Sequence, residues 1–330
     1  MSDSSATHDR TALDLRRVMR ALVVAALMSG AVYAVLIALG DGREVVRALR
    51  GFNPLVFVGM LVLGLASFAL RALRWGALMR VLGYPVRAAD ALYLHVAGQT
   101  MSITPGRVGE ILKPWLAREV AGMPMSSGIP LVFAERVADL IAVSLLALGG
   151  LSALGGATSV LAAGVAVVVA GTTLAGSAWF HGLALRVVRR QEWARRHEGS
   201  ARAISDTLGR ALHWRVLVWS VATSVVAWGL EGIGFSLCLH ALGFDTLGVL
   251  AEISIYGVAT IAGAFSFLPG GIGLTEASMA GILMAAGVAA AGASAATLVT
   301  RVATLWWSVA LGWVALGSRP KVLRRVLGRE

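Results

Sequence analysis

Seven apolar tracts free of Asp, Glu, Lys and Arg dominate this chain: residues 21–40, 54–70, 140–180, 216–230, 253–275, 277–300 and 302–318. About 20 consecutive apolar residues cross a bilayer core as a helix, because only a helix or a closed barrel satisfies the backbone there. A transmembrane strand needs alternation with a period of two, which these tracts lack. Only 14% of the 330 residues are charged, against about 25% in an ordinary soluble domain. The sequence therefore predicts an all-α polytopic membrane protein. Residues 18–318 are expected to form a single transmembrane domain, and tract 140–180 is long enough to be divided between two spans at its glycine pairs.

The net charge of +11 sits beside the apolar tracts. Arg16, Arg17 and Arg20, then Arg71, Arg74 and Arg80, then Arg319, Arg324 and Arg325 flank them, as cytoplasmic ends that meet anionic lipid do. No nucleic-acid partner is expected. The single cysteine, Cys238, excludes an intrachain disulfide and a cysteine-based metal site. The first tract is longer than a signal-peptide core and is expected to be retained as an anchor.

With residues 1–17 as a cytoplasmic tail, six spans are expected, at about 18–40, 54–80, 126–150, 157–181, 215–240 and 291–317. Residues 41–53 form an external loop, and 184–214 an amphipathic cytoplasmic linker with Ile204, Leu208 and Leu212 at helical spacing. Residues 319–330 are a basic cytoplasmic tail. This orientation implies a multi-pass protein of the inner, cytoplasmic membrane with both termini inside.

Two further segments are expected to be broken re-entrant hairpins. The first runs over 88–120 and is interrupted at Pro105, Gly106 and Gly109. The second runs over 248–288 and is interrupted at Pro269, Gly270, Gly271 and Gly273. Proline lacks an amide donor and glycine admits unusual dihedrals, so a helix stops at such places. The landmarks recur in order: Leu82-Gly83-Tyr84 with Leu242-Gly243-Phe244, the two Pro-Gly breaks, and Arg136 with Arg301 at near-equal distances beyond them. The chain thus reads as two halves, about 54–150 and about 215–317, related as an inverted repeat. Paired interrupted segments in such halves point to a transporter site near the bilayer midplane. The alternative is that both motifs are ordinary kinks in full spans.

Ionisable residues at membrane depth need a partner or water. Arg107, Glu110, Lys113, Glu135, Arg136, Asp139, Glu276 and Arg301 are the candidate substrate-binding set, with Glu231 and Glu252 also at depth. Glu135 and Asp139 share a helix face, with Arg136 turned about 100° away. Arg136 is placed to reach Glu110, and Arg301 to reach Glu276. One reading makes these structural ion pairs that pin the hairpins. The other makes them a hydrated cationic cavity for an anionic headgroup, whose phosphate matches the arginine fork.

The Pro105–Glu110 break, the Glu135-Arg136-x-x-Asp139 helix, the stretch from Leu268 to Glu276 and Arg301 together resemble the flippase-like transmembrane domain of lysylphosphatidylglycerol synthases, over about residues 15–318. The resemblance implies a lipid-handling role: moving phospholipids, aminoacyl-phospholipids or polyprenyl-phosphate-linked lipids between leaflets. Bifunctional members carry an aminoacyl-transferase domain after the membrane part. This chain stops at Glu330, so a stand-alone protein that does not synthesise aminoacyl-lipid is expected.

No phosphate-binding GxxxxGK[ST] loop, HExxH or GxSxG motif is present. The expectation is a non-enzymatic lipid transporter without cofactor or metal, either passive or proton-coupled through Glu110, Glu135, Asp139 or Glu276. The competing readings are a membrane partner of a separate lipid synthase or glycosyltransferase, and an intramembrane transferase. The sequence does not fix the oligomeric state.

Overall fold

A computed structural model describes residues 15–104, 110–151, 198–266 and 268–326, together with residue 166. The described residues are helical, with no strands among them. In order they form α1 (Leu15–Leu39), α2 (Gly42–Arg50), α3 (Pro54–Val81), α4 (Ala88–Gly98), α5 (Leu112–Ala121), α6 (Met125–Leu151), α7 (Glu198–Ala211) and α8 (Trp214–Ala241). There follow α9 (Val249–Phe265), α10 (Leu274–Ala285), α11 (Ala290–Arg301), α12 (Trp307–Ser318) and α13 (Pro320–Val326). The expected span at about 157–181 lies outside the described residues, as do Pro105, Gly106, Arg107 and Gly109.

Among the described residues, four stretches are long and apolar enough to cross a membrane: Leu22–Leu39, Pro54–Val81, Trp214–Ala241 and Ala290–Ser318. Helix α6 has the length, at 27 residues, but carries Glu135, Arg136 and Asp139 near its middle. The chain is a polytopic helical membrane protein. The limbs of the broken segments are shorter. At about 1.5 Å per residue, α4 and α5 rise about 15–17 Å each, roughly half of a bilayer core, so neither crosses alone.

Local chemistry sets the helix ends. Asn53 caps α3 by accepting from the Leu55 amide at 2.9 Å, with Pro54 in the first turn. The Leu-Gly-aromatic landmark is a Schellman cap in both halves. Tyr84 N–H donates to Met79 O at 2.9 Å, and Phe244 N–H to Leu239 O at 3.0 Å. Gly83 and Gly243 supply the required positive φ, at 90° and 84°.

Packing repeats as the sequence does. α3 packs on α8, its counterpart. The first limb of each hairpin packs on the closing span of the other half, α4 on α12 and α9 on α6. These contacts are reciprocal between the two halves. α12 meets hairpin one at backbone distance: a Cβ on Gly312 would stand 2.5 Å from the Thr100 amide nitrogen. On the other side, a Cβ on Gly150 would overlap the carbonyl of Leu250 at the start of α9.

Three expectations need correction. Residues 41–53 are not an irregular loop. They contain α2, capped by Asp41, which seats Val45 against α1 and α11. The amphipathic stripe of the linker does not face lipid alone, because Thr207, Ala211 and Leu212 are buried and α7 packs on α6. Arg71 and Arg74 are not interfacial flanking charges. Both are buried inside the bundle, so they carry no weight in the orientation argument. The C-terminal segment also forms α13, preceded by Arg319, which pairs with Asp90 at 2.7 Å and lies over the Tyr93 ring.

Candidate functional site

Three ion-pair clusters surround the place where the two interrupted segments meet. In the first, Arg74 on α3 donates to Glu135 Oε1 at 2.9 Å and Asp139 Oδ1 at 2.7 Å, and also contacts the Ser224 hydroxyl. Lys113 Nζ reaches Glu135 Oε2 at 2.6 Å and sits over the Trp75 ring. His95 lies beside Lys113, with Nδ1 3.2 Å from Nζ. Arg136 pairs with Glu110 at 3.1 Å and with Asp139 at 3.5 Å. It therefore does not turn away from Asp139: at i, i+3 the long guanidinium folds back along the helix. Among the described residues, Arg74, Lys113 and Arg136 meet Glu110, Glu135 and Asp139 in this cluster.

In the second cluster Arg71 pairs with Glu231 at 2.7 Å. Ser67 donates to Glu231 Oε1 at 2.8 Å, and the Tyr256 hydroxyl to Oε2 at 2.7 Å. The Arg71 guanidinium also lies 4.0 Å from the centre of the Trp228 ring. In the third, Arg301 Nε donates to Glu276 Oε1 at 2.6 Å, and its Nη2 to the Gly270 carbonyl at 2.8 Å. Glu276 Oε2 accepts from the Gly273 amide at 2.7 Å, so Arg301 and Glu276 lock the second break from both sides. Gly270, Gly271 and Gly273 all have positive φ there, a conformation that favours glycine. A π-helical turn over residues 302–306 follows Arg301, a distortion common at functional sites.

Between these clusters is a cavity of about 110 Å³. Hairpin one contributes Gln99 and Ser102, and hairpin two contributes Gly263, Gly270, Gly271 and Thr275. Arg71, Arg136 and Arg301 line it from three helices, with Glu231 as the one carboxylate lining it among the described residues. Their side chains are graded in access: 30% exposed for Arg136, 10% for Arg301 and 6% for Arg71. Glu110, Asp139 and Glu276, the partners of Arg136 and Arg301, do not line the cavity, so arginines outnumber carboxylates among its described lining residues.

Of the expected set, Arg136 and Arg301 face the cavity. Lys113, Glu135, Asp139 and Glu276 are buried in ion pairs, and none of them lines it. Glu110 is held by Arg136, and Arg107 lies outside the described residues. Sequence reasoning missed Arg71 and Arg74. A signal for Arg71 was present. The step in numbering that carries Gly83 onto Gly243 also carries Arg71 onto Glu231 and Phe68 onto Trp228. The structure repeats that relation: Phe68 and Trp228 each lie against a ring of the adjoining hairpin, His95 and Tyr256, at 6.2 and 6.4 Å with interplanar angles of 46° and 47°. No cluster of three or more His, Cys, Asp or Glu suited to a metal occurs among the described residues.

Residues 21–312 match the family model described as the lysylphosphatidylglycerol synthase TM region. Among curated relatives, a UPF0104 membrane protein of Methanothermobacter thermautotrophicus is 28% identical over 314 residues, covering 87% of this chain and 91% of its own length. A second from the same organism is 28% identical over 349 residues, with 93% and 96% covered. Glycosyltransferase AglD of Haloferax volcanii is 26% identical over 299 residues, covering 76% of this chain but 48% of its own length.

Proposed function

The chain belongs to the lysylphosphatidylglycerol synthase TM-region family, and on that premise we propose that it moves an anionic lipid between leaflets without altering it covalently. The observation that supports this most directly is the convergence of Arg71, Arg136 and Arg301 on one cavity between the two interrupted segments. Holding a charge at membrane depth costs about 2.5–3.5 kcal/mol on insertion scales. A chain that places three guanidinium groups around one cavity lined, among the described residues, by a single carboxylate recovers part of that cost when a phosphate enters, because the planar fork pairs with its oxygens. Phospholipid, aminoacyl-phospholipid and polyprenyl-phosphate-linked headgroups share this chemistry. In this reading the halves are inverted across the bilayer of the inner membrane, both termini are cytoplasmic, and the two hairpins expose the cavity to the leaflets in turn.

A second reading has its own observation. The Haloferax relative is named a glycosyltransferase, and the matched part is under half of its length, so a membrane region of this kind occurs joined to further sequence. A non-transporting role beside a separate lipid synthase or glycosyltransferase would use the same cavity to hold a lipid-linked substrate. An intramembrane transferase would leave a covalent product, which distinguishes it from both.

Reconstituted protein is expected to accelerate the passage of fluorescent phosphatidylglycerol across vesicle membranes relative to protein-free vesicles. Arg136→Ala is expected to lower that rate at least about tenfold, equivalent to about 1.4 kcal/mol. The variant is chosen because Asp139 keeps Arg74 as a partner and Arg136 is the most accessible of the three. No acceleration over protein-free vesicles with any of several anionic lipids contradicts transport. Co-purification with a synthase would then favour the second reading.

A further inference from the structure

Glu231 occupies a place that neither the family resemblance nor the transport reading explains. It is the counterpart of Arg71 in the repeat and touches it, as residues at a two-fold axis do. Identical charges there would repel across the interface between α3 and α8, and the opposite charge closes it. Unlike Glu276, which also secures a backbone turn, Glu231 is held by side chains alone. Arg71 and Ser67 come from α3 and Tyr256 from α9, while Trp228 on its own helix lies under Arg71. Arg136 of α6 and Arg301 of α11 line the same cavity.

An anionic headgroup entering this cavity meets Arg71 already neutralised. Ionised Glu231 and a phosphate oxygen compete for the same guanidinium, and two anions side by side in a low-dielectric cavity repel. Building on the transport reading, we infer that Glu231 is an exchangeable counter-ion: a lipid phosphate replaces it on Arg71, and its carboxylate takes up one proton from the hydronium or buffer acid of the bulk solution as it lets go. The new O–H bond turns a competing anion into a donor to the phosphate, and Tyr256 and Ser67 can still donate to the remaining carboxyl oxygen. Binding of headgroup and proton is then reciprocal. A lipid with one negative charge crosses with one proton, so no net charge moves.

The test uses the purified full-length chain in detergent and dihexanoylphosphatidylglycerol, a soluble phosphodiester whose single charge is constant over the range used. Wild-type affinity is expected to rise as pH falls from about 8 to about 5, by up to about tenfold per pH unit, the limit for one linked proton. Glu231→Gln is expected to bind with a flat pH profile and, at pH of about 8, more tightly than wild type. Proton uptake of about one per bound lipid by the wild-type protein in weak buffer supports the exchange even where the variant fails to fold. A flat wild-type profile, zero proton uptake, or a wild-type slope retained in Glu231→Gln overturns the counter-ion role while leaving the headgroup site standing. Failure of the wild-type protein to bind the probe at any pH overturns the headgroup reading as well.

Discussion

Arg74→Met is expected to destabilise the protein by about 3–5 kcal/mol, the usual cost of leaving buried charges without their partner. Arg74 is fully buried and is the only side chain, among the described residues, that bridges Glu135 and Asp139. Removing it leaves Asp139 with the longer Arg136 contact and the neutral Ser224 hydroxyl, and Glu135 with Lys113. Three helices lose their common point of attachment, because Arg74 lies on α3, the carboxylates on α6 and Ser224 on α8. Heating detergent-solubilised protein and measuring the fraction that remains monodisperse should show a large drop in the midpoint. Adding Asp139→Asn to Arg74→Met should recover part of it, since one stranded charge is gone. Stability unchanged in Arg74→Met would mean that this cluster does not hold the bundle together.

Exchanging both members of the third pair, Arg301→Gln with Glu276→Gln, is expected to leave a folded protein that transports at least about tenfold more slowly, or about 1.4 kcal/mol. The double change strands no charge, and the amides can still bridge the break at Gly270 and Gly273, where the native groups bond. What disappears is one of the three positive charges of the cavity wall. Preserved stability with lost transport assigns Arg301 to the lipid. Wild-type transport in the double variant would make the pair a clasp on the second break and nothing more.

Much of the architecture was legible because lipid imposes simple rules. Pro54, Trp214 and Ala290 open described spans within a residue or two of where hydropathy placed them, and the break between α9 and α10 falls at Pro269 and its glycines, visible in three residues. The repeat also gave two correct pairings, Arg136 with Glu110 and Arg301 with Glu276. It failed for Arg71 and Arg74 because they stand near Arg80 at the end of α3, where a run of arginines resembles an interfacial flank. Depth along a span is readable from sequence, but the direction in which a side chain faces is not when its partners lie 61 and 160 residues away, as for Arg74 with Glu135 and Arg71 with Glu231. Helix α2 was missed for a different reason. Its alternating charges suggest a polar loop, yet Asp41 caps it and Val45 is buried.

The division of labour among charges follows from geometry. Carboxylates of the expected set largely stabilise the scaffold: Glu135, Asp139 and Glu276 are consumed in ion pairs behind the cavity. In the proposed transport, selection of an anionic headgroup would fall to Arg71, Arg136 and Arg301, with Glu231 as the carboxylate lining the same cavity among the described residues.

A density map of the protein in nanodiscs rich in anionic phospholipid tests the headgroup site most directly. Phosphate density bounded by Arg71, Arg136 and Arg301, with oxygens about 2.7–2.9 Å from guanidinium nitrogens, is the result expected. Headgroups confined to the membrane surface, with only water or acyl chain between the two interrupted segments at saturating lipid, would contradict it.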